Sequence, residues 1–266
     1  MTGLVQRIAN LVDRPWRILA TGFCFTVFGL GGLLMLLIVL PVLALVRDPQ
    51  QRNRWARSLI HHSFRLFTRL MEIVGVISVE WRDIERLRRG GQLLLATHPS
   101  LIDVVLLISV VPRPDCVVKA ALWDNPCMMG PLKIAGFIRN DGGPQLVEDC
   151  IASLRAGNTL VIFPEGTRSK PGQPMQLQRG AANVAVRGER RLTPVLISSS
   201  EPMLTKGTPW WQVPQRRPHF VVEARAEMPI ESLIPPEREA ALEARALTTA
   251  LRDYFTEELK LHASTC

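Results

Sequence analysis

A histidine and an aspartate stand five residues apart in the segment 97–103, THPSLID. The apolar run 92–97 (QLLLAT) before it reads as a buried strand, and Pro99 suits the first position of a helix. His98 is therefore expected at a strand-to-helix corner, at the strand end where α/β sheets place ligands. Asp103, about one helical turn on, could reach back and accept the Nδ1–H of His98. That bond fixes the tautomer and leaves Nε2 free to take a proton from an alcohol, which is a poor nucleophile until a base removes it. The plainer reading of such a pair is a helix cap or a surface contact, with Ser100 supporting the helix start.

A second segment, 163–169 (FPEGTRS), follows the apolar run 159–163 (TLVIF) directly. Gly166 permits a tight turn, so Glu165, Thr167 and Arg168 project from one loop at the end of a strand. A guanidinium is a planar fork that matches phosphate. Glu165 could accept from a polyol hydroxyl or orient the arginine. The plainer reading is an Arg–Glu pair that only stabilises the turn.

Taken together, the two segments resemble the glycerolipid acyltransferase family, whose best-known members are the 1-acylglycerol-3-phosphate acyltransferases. His98 and Asp103 match its H-x-x-x-x-D, and FPEGTRS matches its phosphate-loop motif. GFIRND (136–141) is similar to a further block through Gly136 and Arg139, QRGAANVAV (178–186) to the segment after the phosphate loop, and TPVLIS (193–198) to another block through Pro194. The resemblance covers residues 76–200. It implies His98 as general base oriented by Asp103, and Arg139 and Arg168 on the acceptor phosphate. Glu165, with Gly166 and Thr167, would lie near the glycerol, and Arg179 is a further phosphate candidate. Lys119 falls near a family lysine, but Ala121 stands where Glu is frequent, and Thr97 replaces the commoner Asn before the histidine. The implied reaction is transfer of a fatty acyl group from acyl-CoA or acyl-carrier protein to 1-acylglycerol-3-phosphate in phospholipid biosynthesis. The alternative acceptor is another lyso-lipid such as lyso-ornithine lipid. No cofactor, metal or covalent acyl-enzyme is implied. Asp103 separates the chain from the lipid A acyltransferases, which carry Glu there. A serine hydrolase would need a G-x-S-x-G elbow, which the sequence lacks. A non-catalytic lipid-binding protein would not need the intact His/Asp pair.

The elements that must position these residues follow from the hydrophobic pattern. Strands are expected at 76–81, 92–97, 115–121, 159–163, 193–198 and 220–224, and helices at 101–111, 146–156, 181–187 and 235–261. In the last helix Leu242, Leu247, Leu251, Phe255 and Leu259 would face inward. The Pro/Gly-rich stretches 124–131 and 170–180, and residues 202–218, read as loops. Such alternation predicts an α/β fold, a mixed, mostly parallel sheet covered by helices.

Residues 18–46 hold no charge, a run of about 43 Å as helix against a bilayer core of ~30 Å. This predicts an N-terminal membrane-embedded helical segment, either one tilted or kinked span or a re-entrant hairpin turning at Gly29, Gly31 and Gly32. A buried core helix is the bland alternative. Residues 52–75 have a helical period, with Trp55, Leu59, Phe67, Met71 and Val74 on one stripe and Arg54, Arg57, His61, Arg65 and Arg69 on another. That suits a helix lying on an anionic membrane, or equally a solvated basic face over a core helix. Residues 1–75 are thus expected as the membrane-anchoring region and 76–266 as the catalytic α/β domain.

The 266 residues carry a net charge of +8, which favours anionic partners, while a single tyrosine and no basic tract interleaved with aromatics argue against nucleic acid. The expected partners are a lyso-lipid, an acyl thioester and the membrane. Arg7, Arg14 and Arg17 precede the apolar run and five arginines follow it by residue 65, which by the positive-inside tendency puts the C-terminal body in the cytoplasm. The expected location is a membrane, a bacterial inner membrane with the catalytic domain on its cytoplasmic face. Five cysteines without C-x-x-C spacing (Cys24, Cys116, Cys127, Cys150, Cys266) fit a reducing compartment.

Overall fold

A computed structural model describes residues 2–265 apart from 142, 171, 189, 237 and 238. The side chain of Arg7 and residue Cys266 lie outside the described set. The chain opens with helix α1 (Thr2–Leu34), which continues without a break through a π turn (Met35–Val39) into α2 (Leu40–Ala44). The π turn falls where Pro41 can offer no N–H to the Leu37 carbonyl. Of the two expected shapes, the hairpin is not formed: Gly29, Gly31 and Gly32 lie inside one helix. By length and composition Asp13–Ala44 is long and apolar enough to cross a membrane.

After Asp48, whose side chain caps the Gln50 N–H, come α3 (Pro49–Ile73), β1 (Ser78–Arg82), β2 (Leu93–Ala96), α4 (Asp103–Val110) and β3 (Asp115–Val118). Then follow α5 (Pro126–Ala135), β4 (Ile138–Arg139), α6 (Pro144–Arg155), β5 (Leu160–Ile162), α7 (Arg179–Arg187), β6 (Arg191–Ser199), β7 (His219–Ala224), β8 (Met228–Pro229) and α8 (Ala240–Thr265). The sheet runs β1-β7-β6-β2-β5-β3-β4, with β8 on β6. Its pairings are parallel except for β6 with β7 and β8, so the mixed, mostly parallel expectation holds.

Parallel strands covered on both faces read as continuous apolar runs, as LLLA does in β2. Leu94 and Ala96 join the core beneath α3, α4 and α5, while Leu93 and Leu95 join the core beneath α6, α7 and α8. The first of these cores also takes in Ala20 and Cys24 of α1.

Four local expectations are corrected. Residues 124–131 are not a loop: Asn125 caps the Cys127 N–H, Pro126 opens α5, and the helix tolerates Pro131. Pro131 brings no N–H to the Cys127 carbonyl, and Gly32 of α1 backs against that same oxygen, close enough that no Cβ would fit. Strand β3 ends at Val118 rather than Ala121, where the chain turns into a short 3-10 helix (Ala120–Asp124). The last helix starts at Ala240, beyond the extended Pro235–Pro236 pair, and Ala244 takes the inward place expected of the exposed Leu242. On α3, Trp55 is exposed, whereas Arg57, expected on the solvent stripe, is buried and paired with Asp115 at 2.9 Å.

Candidate active site

Strands β2 and β5 are parallel neighbours with Leu95 across from Ile162, so the segments leaving their C-terminal ends emerge side by side. That register brings the two motifs together. The ring of His98 lies against Phe163, centroids 4.5 Å apart. The backbone joins them in both directions: the His98 N–H donates to Glu165 Oε1 (2.8 Å), and the Ser169 N–H donates to the His98 carbonyl (2.8 Å).

Asp103 opens α4 and is fully buried. Its Oδ2 accepts from the Nδ1–H of His98 (3.0 Å) and from the Ser100 N–H (2.6 Å). A carboxylate can only accept, so Nδ1 carries the proton and Nε2 is left with its lone pair. Burial pushes the Asp103 carboxyl up to about 6; the hydrogen bond from His98 pulls the other way. Oδ1 has no partner among the described residues.

Glu165 is buried too, and burial raises its pKa. Its second oxygen accepts from the Ser169 hydroxyl, so both oxygens serve the loop and the His98 backbone. Gly166 sits at φ +67°, a left-handed conformation that a side chain strains, and a Cβ there would lie 3.1 Å from Gln178. Arg168 donates through Nη1 to the carbonyls of Leu204 (2.7 Å) and Thr205 (3.1 Å). Among the described residues its Nε and Nη2 make no bond.

A cavity of about 1360 Å³ opens at this corner. Its polar lining includes His98, Glu165, Thr167, Arg168 and Arg179, together with Lys119 and Asn140. Its apolar length runs between α1, α3 and α5 past Phe28, Met35, Phe64, Phe67 and Met128. Arg139 is not among the lining residues; its guanidinium extends outward to Asp141 (2.6 Å).

Three parts of the site escaped the sequence reading. Phe163 and Ser169 lay inside the quoted motif but carried no assigned part. Residues 203–205, from a stretch read only as loop, fold back on the site: Ser100 Oγ donates to the Met203 carbonyl (2.8 Å) and the Leu101 N–H to the Leu204 carbonyl (3.2 Å). Leu204 itself is held at φ +51°. A bulky residue in that region leaves no mark in the sequence, so no pattern could have signalled it.

Residues 78–198 match the family model described as Acyltransferase. The 1-acyl-sn-glycerol-3-phosphate acyltransferase of Helicobacter pylori is 30% identical over 118 residues, 42% of this chain and 50% of that protein. The enzyme of the same description from Bacillus subtilis is 31% identical over 126 residues, 44% of this chain and 62% of its own length. The chain spans about half the length of the curated relatives it matches. The crystal structure of the 1-acyl-sn-glycerophosphate (LPA) acyltransferase PlsC from Thermotoga maritima superposes with a TM-score of 0.66, covering 94% of this chain and 98% of that one. At 20% identity this likeness speaks for the fold.

Proposed function

We propose that this chain, whose residues 78–198 match the family model described as Acyltransferase, is an O-acyltransferase that moves a fatty acyl group from a thioester to the free hydroxyl of 1-acylglycerol-3-phosphate. The observation that carries this reading is the His98–Asp103 bond at the mouth of an apolar cavity. The acceptor hydroxyl gives its proton to His98 Nε2, and its oxygen attacks the thioester carbonyl carbon. Asp103 holds the imidazole in the correct tautomer and offsets the positive charge it gains. The tetrahedral intermediate collapses, the C–S bond breaks, and the thiolate leaves with the proton returned by His98. The new C–O bond is the ester of the product.

Lys119, Arg168 and Arg179 all line the cavity, which supports an anionic headgroup within it. The volume exceeds the roughly 300–1,000 Å³ usual for small-molecule pockets, as a long hydrocarbon chain requires. The membrane is the source of the acceptor, in keeping with the long apolar helix along one cavity wall.

The test is product formation by purified protein in lipid, read by mass spectrometry, with acyl-CoA and acyl-carrier protein as donors and a panel of lyso-lipid acceptors. His98→Ala is expected to abolish transfer and leave membrane association intact. Turnover in that variant rules out the base. Arg168→Ala should raise the acceptor KM well above the donor KM, and an equal effect on both removes the headgroup assignment.

A further inference from the structure

Helix α3 faces the body with a polar stripe at four-residue spacing, Asn53, Arg57 and His61. Each member meets a backbone carbonyl left over at the C-terminal end of another helix. Asn53, with its amide nitrogen turned toward α5, donates to the Ile134 carbonyl (2.8 Å) and also to the Pro49 carbonyl (3.3 Å). Arg57 donates through Nε to the Ala135 carbonyl (2.8 Å) and through Nη2 to that of Gly136 (3.3 Å). His61 donates through Nδ1 to the Ile108 carbonyl of α4 (2.8 Å). The last four carbonyls of a helix have no partner within it and carry its partial negative charge, so donors and a guanidinium are favoured there.

The fit is close. Gly136 ends α5 at φ +61°, and a Cβ on it would lie 2.6 Å from the Asn53 amide. Arg57 is anchored from behind by Asp115, which also accepts from Ser153 Oγ of α6 (2.6 Å) and the Cys116 N–H (2.9 Å). An arginine fully committed to carbonyls and a buried carboxylate is not available to a lipid surface.

The two helices held this way are the ones the reaction depends on. α4 carries Asp103 at one end and Ile108 near the other, about 7.5 Å apart along the axis. α5 supplies Met128, Pro131 and Leu132 to the cavity wall, and Phe137 and Asn140 follow its end. We propose that Asn53, Arg57 and His61 are positioning residues: they lock α4 and α5 onto α3 so that the carboxylate of Asp103 and the cavity wall stay aligned with His98. This rests on the acyl-transfer reading and adds to it the parts that keep the base and the cavity in register.

The experiment compares four variants, each with kcat and KM normalised to the folded fraction from near-ultraviolet circular dichroism. His61→Phe keeps the ring volume but removes the donor. It is expected to lower kcat about tenfold with both KM values within about twofold, because misplacing a catalytic group by under 1 Å is enough for that. His61→Asn places an amide donor at the position of Nδ1 and should recover most of the loss. Asn53→Ala and Arg57→Lys act on the wall and should raise KM several-fold with kcat nearly unchanged. Variants that lower only the melting temperature, with kcat and KM of the folded enzyme equal to wild type, overturn the positioning role. Wild-type protein serves as reference: if it is silent against every donor and acceptor, the acyl-transfer reading falls and this proposal with it. If it is active and its variants match it, this proposal alone falls.

Discussion

Replacing Asp103 by Asn should remove nearly all turnover while barely changing stability, and both magnitudes follow from the site. In the proposed reaction His98 becomes an imidazolium 3.0 Å from the Asp103 carboxylate. At an effective dielectric constant of ~20, two unit charges at that distance attract by about 5–6 kcal/mol, equivalent to about four decades of rate. Asn removes the charge and also allows the ring to carry its proton on Nε2, where it cannot act as a base. A fall in kcat of about 10³–10⁴ is expected. For stability, the Asp103 carboxyl is pushed up to about 6 by burial, from an ordinary 3.8. Its folded pKa thus lies above the unfolded one. The group costs nothing below about pH 4, costs more as pH rises toward 6, and at neutral pH costs about 3 kcal/mol. Asn escapes that cost. Against this, its amide nitrogen would stand where Oδ1 now has no partner, at about 1–3 kcal/mol. The two effects nearly cancel at pH 7, whereas at pH 5 the variant should compare less well with wild type. Mass-spectrometric initial rates and thermal melts at both pH values measure this. A variant that keeps more than a tenth of wild-type turnover, or melts with several kcal/mol less stability at pH 7, refutes the reasoning.

Three further outcomes are expected. The pH profile of kcat/KM should lose activity as pH falls through about 6, because the Asp103 carboxyl, raised to about 6 by burial, takes up a proton and loses the charge that supports His98; a flat profile between pH 7 and 5 contradicts it. Gly166→Ala should cost about 1–2 kcal/mol in a denaturant or thermal melt, through left-handed strain at φ +67°, and should lower kcat because the neighbouring Glu165 braces His98. Within α1, Gly29→Ala has open space around it and should raise stability by up to about 1 kcal/mol, while Gly32→Ala drives a methyl into the Cys127 carbonyl and should cost about 1–3 kcal/mol; melts of the two in detergent separate the effects.

Much of this was legible in the sequence, and what was not has physical causes. The runs QLLLAT and TLVIF announce buried parallel strands, and the polar segments after them hold His98, Asp103 and Glu165 where the structure has them. What the sequence could not show is that β2 and β5 are neighbours, since pairing is a long-range property. The Pro/Gly content of 124–131 hid α5, because Pro131 counts as a breaker until the carbonyl it strands is seen to face Gly32. The basic period of α3 was visible but its direction was not. Arg57 turns inward because a buried carboxylate, Asp115, and two helix-end carbonyls await it, and these lie more than fifty residues away in the chain. Arg139 shows the converse: a residue that fits a motif points outward to Asp141, while Lys119 and Asn140 line the cavity.

The two bonds between His98 and the 165–169 turn, one from backbone to carboxylate and one from backbone to backbone, have a consequence for how firmly that turn is held. The turn is tied by its Ser169 amide to the chain leaving the neighbouring strand β2. Those two bonds set the direction of its dipoles in the folded protein. Slow amide exchange at Ser169, matching that of the strand interiors, would be the signature of such a tether.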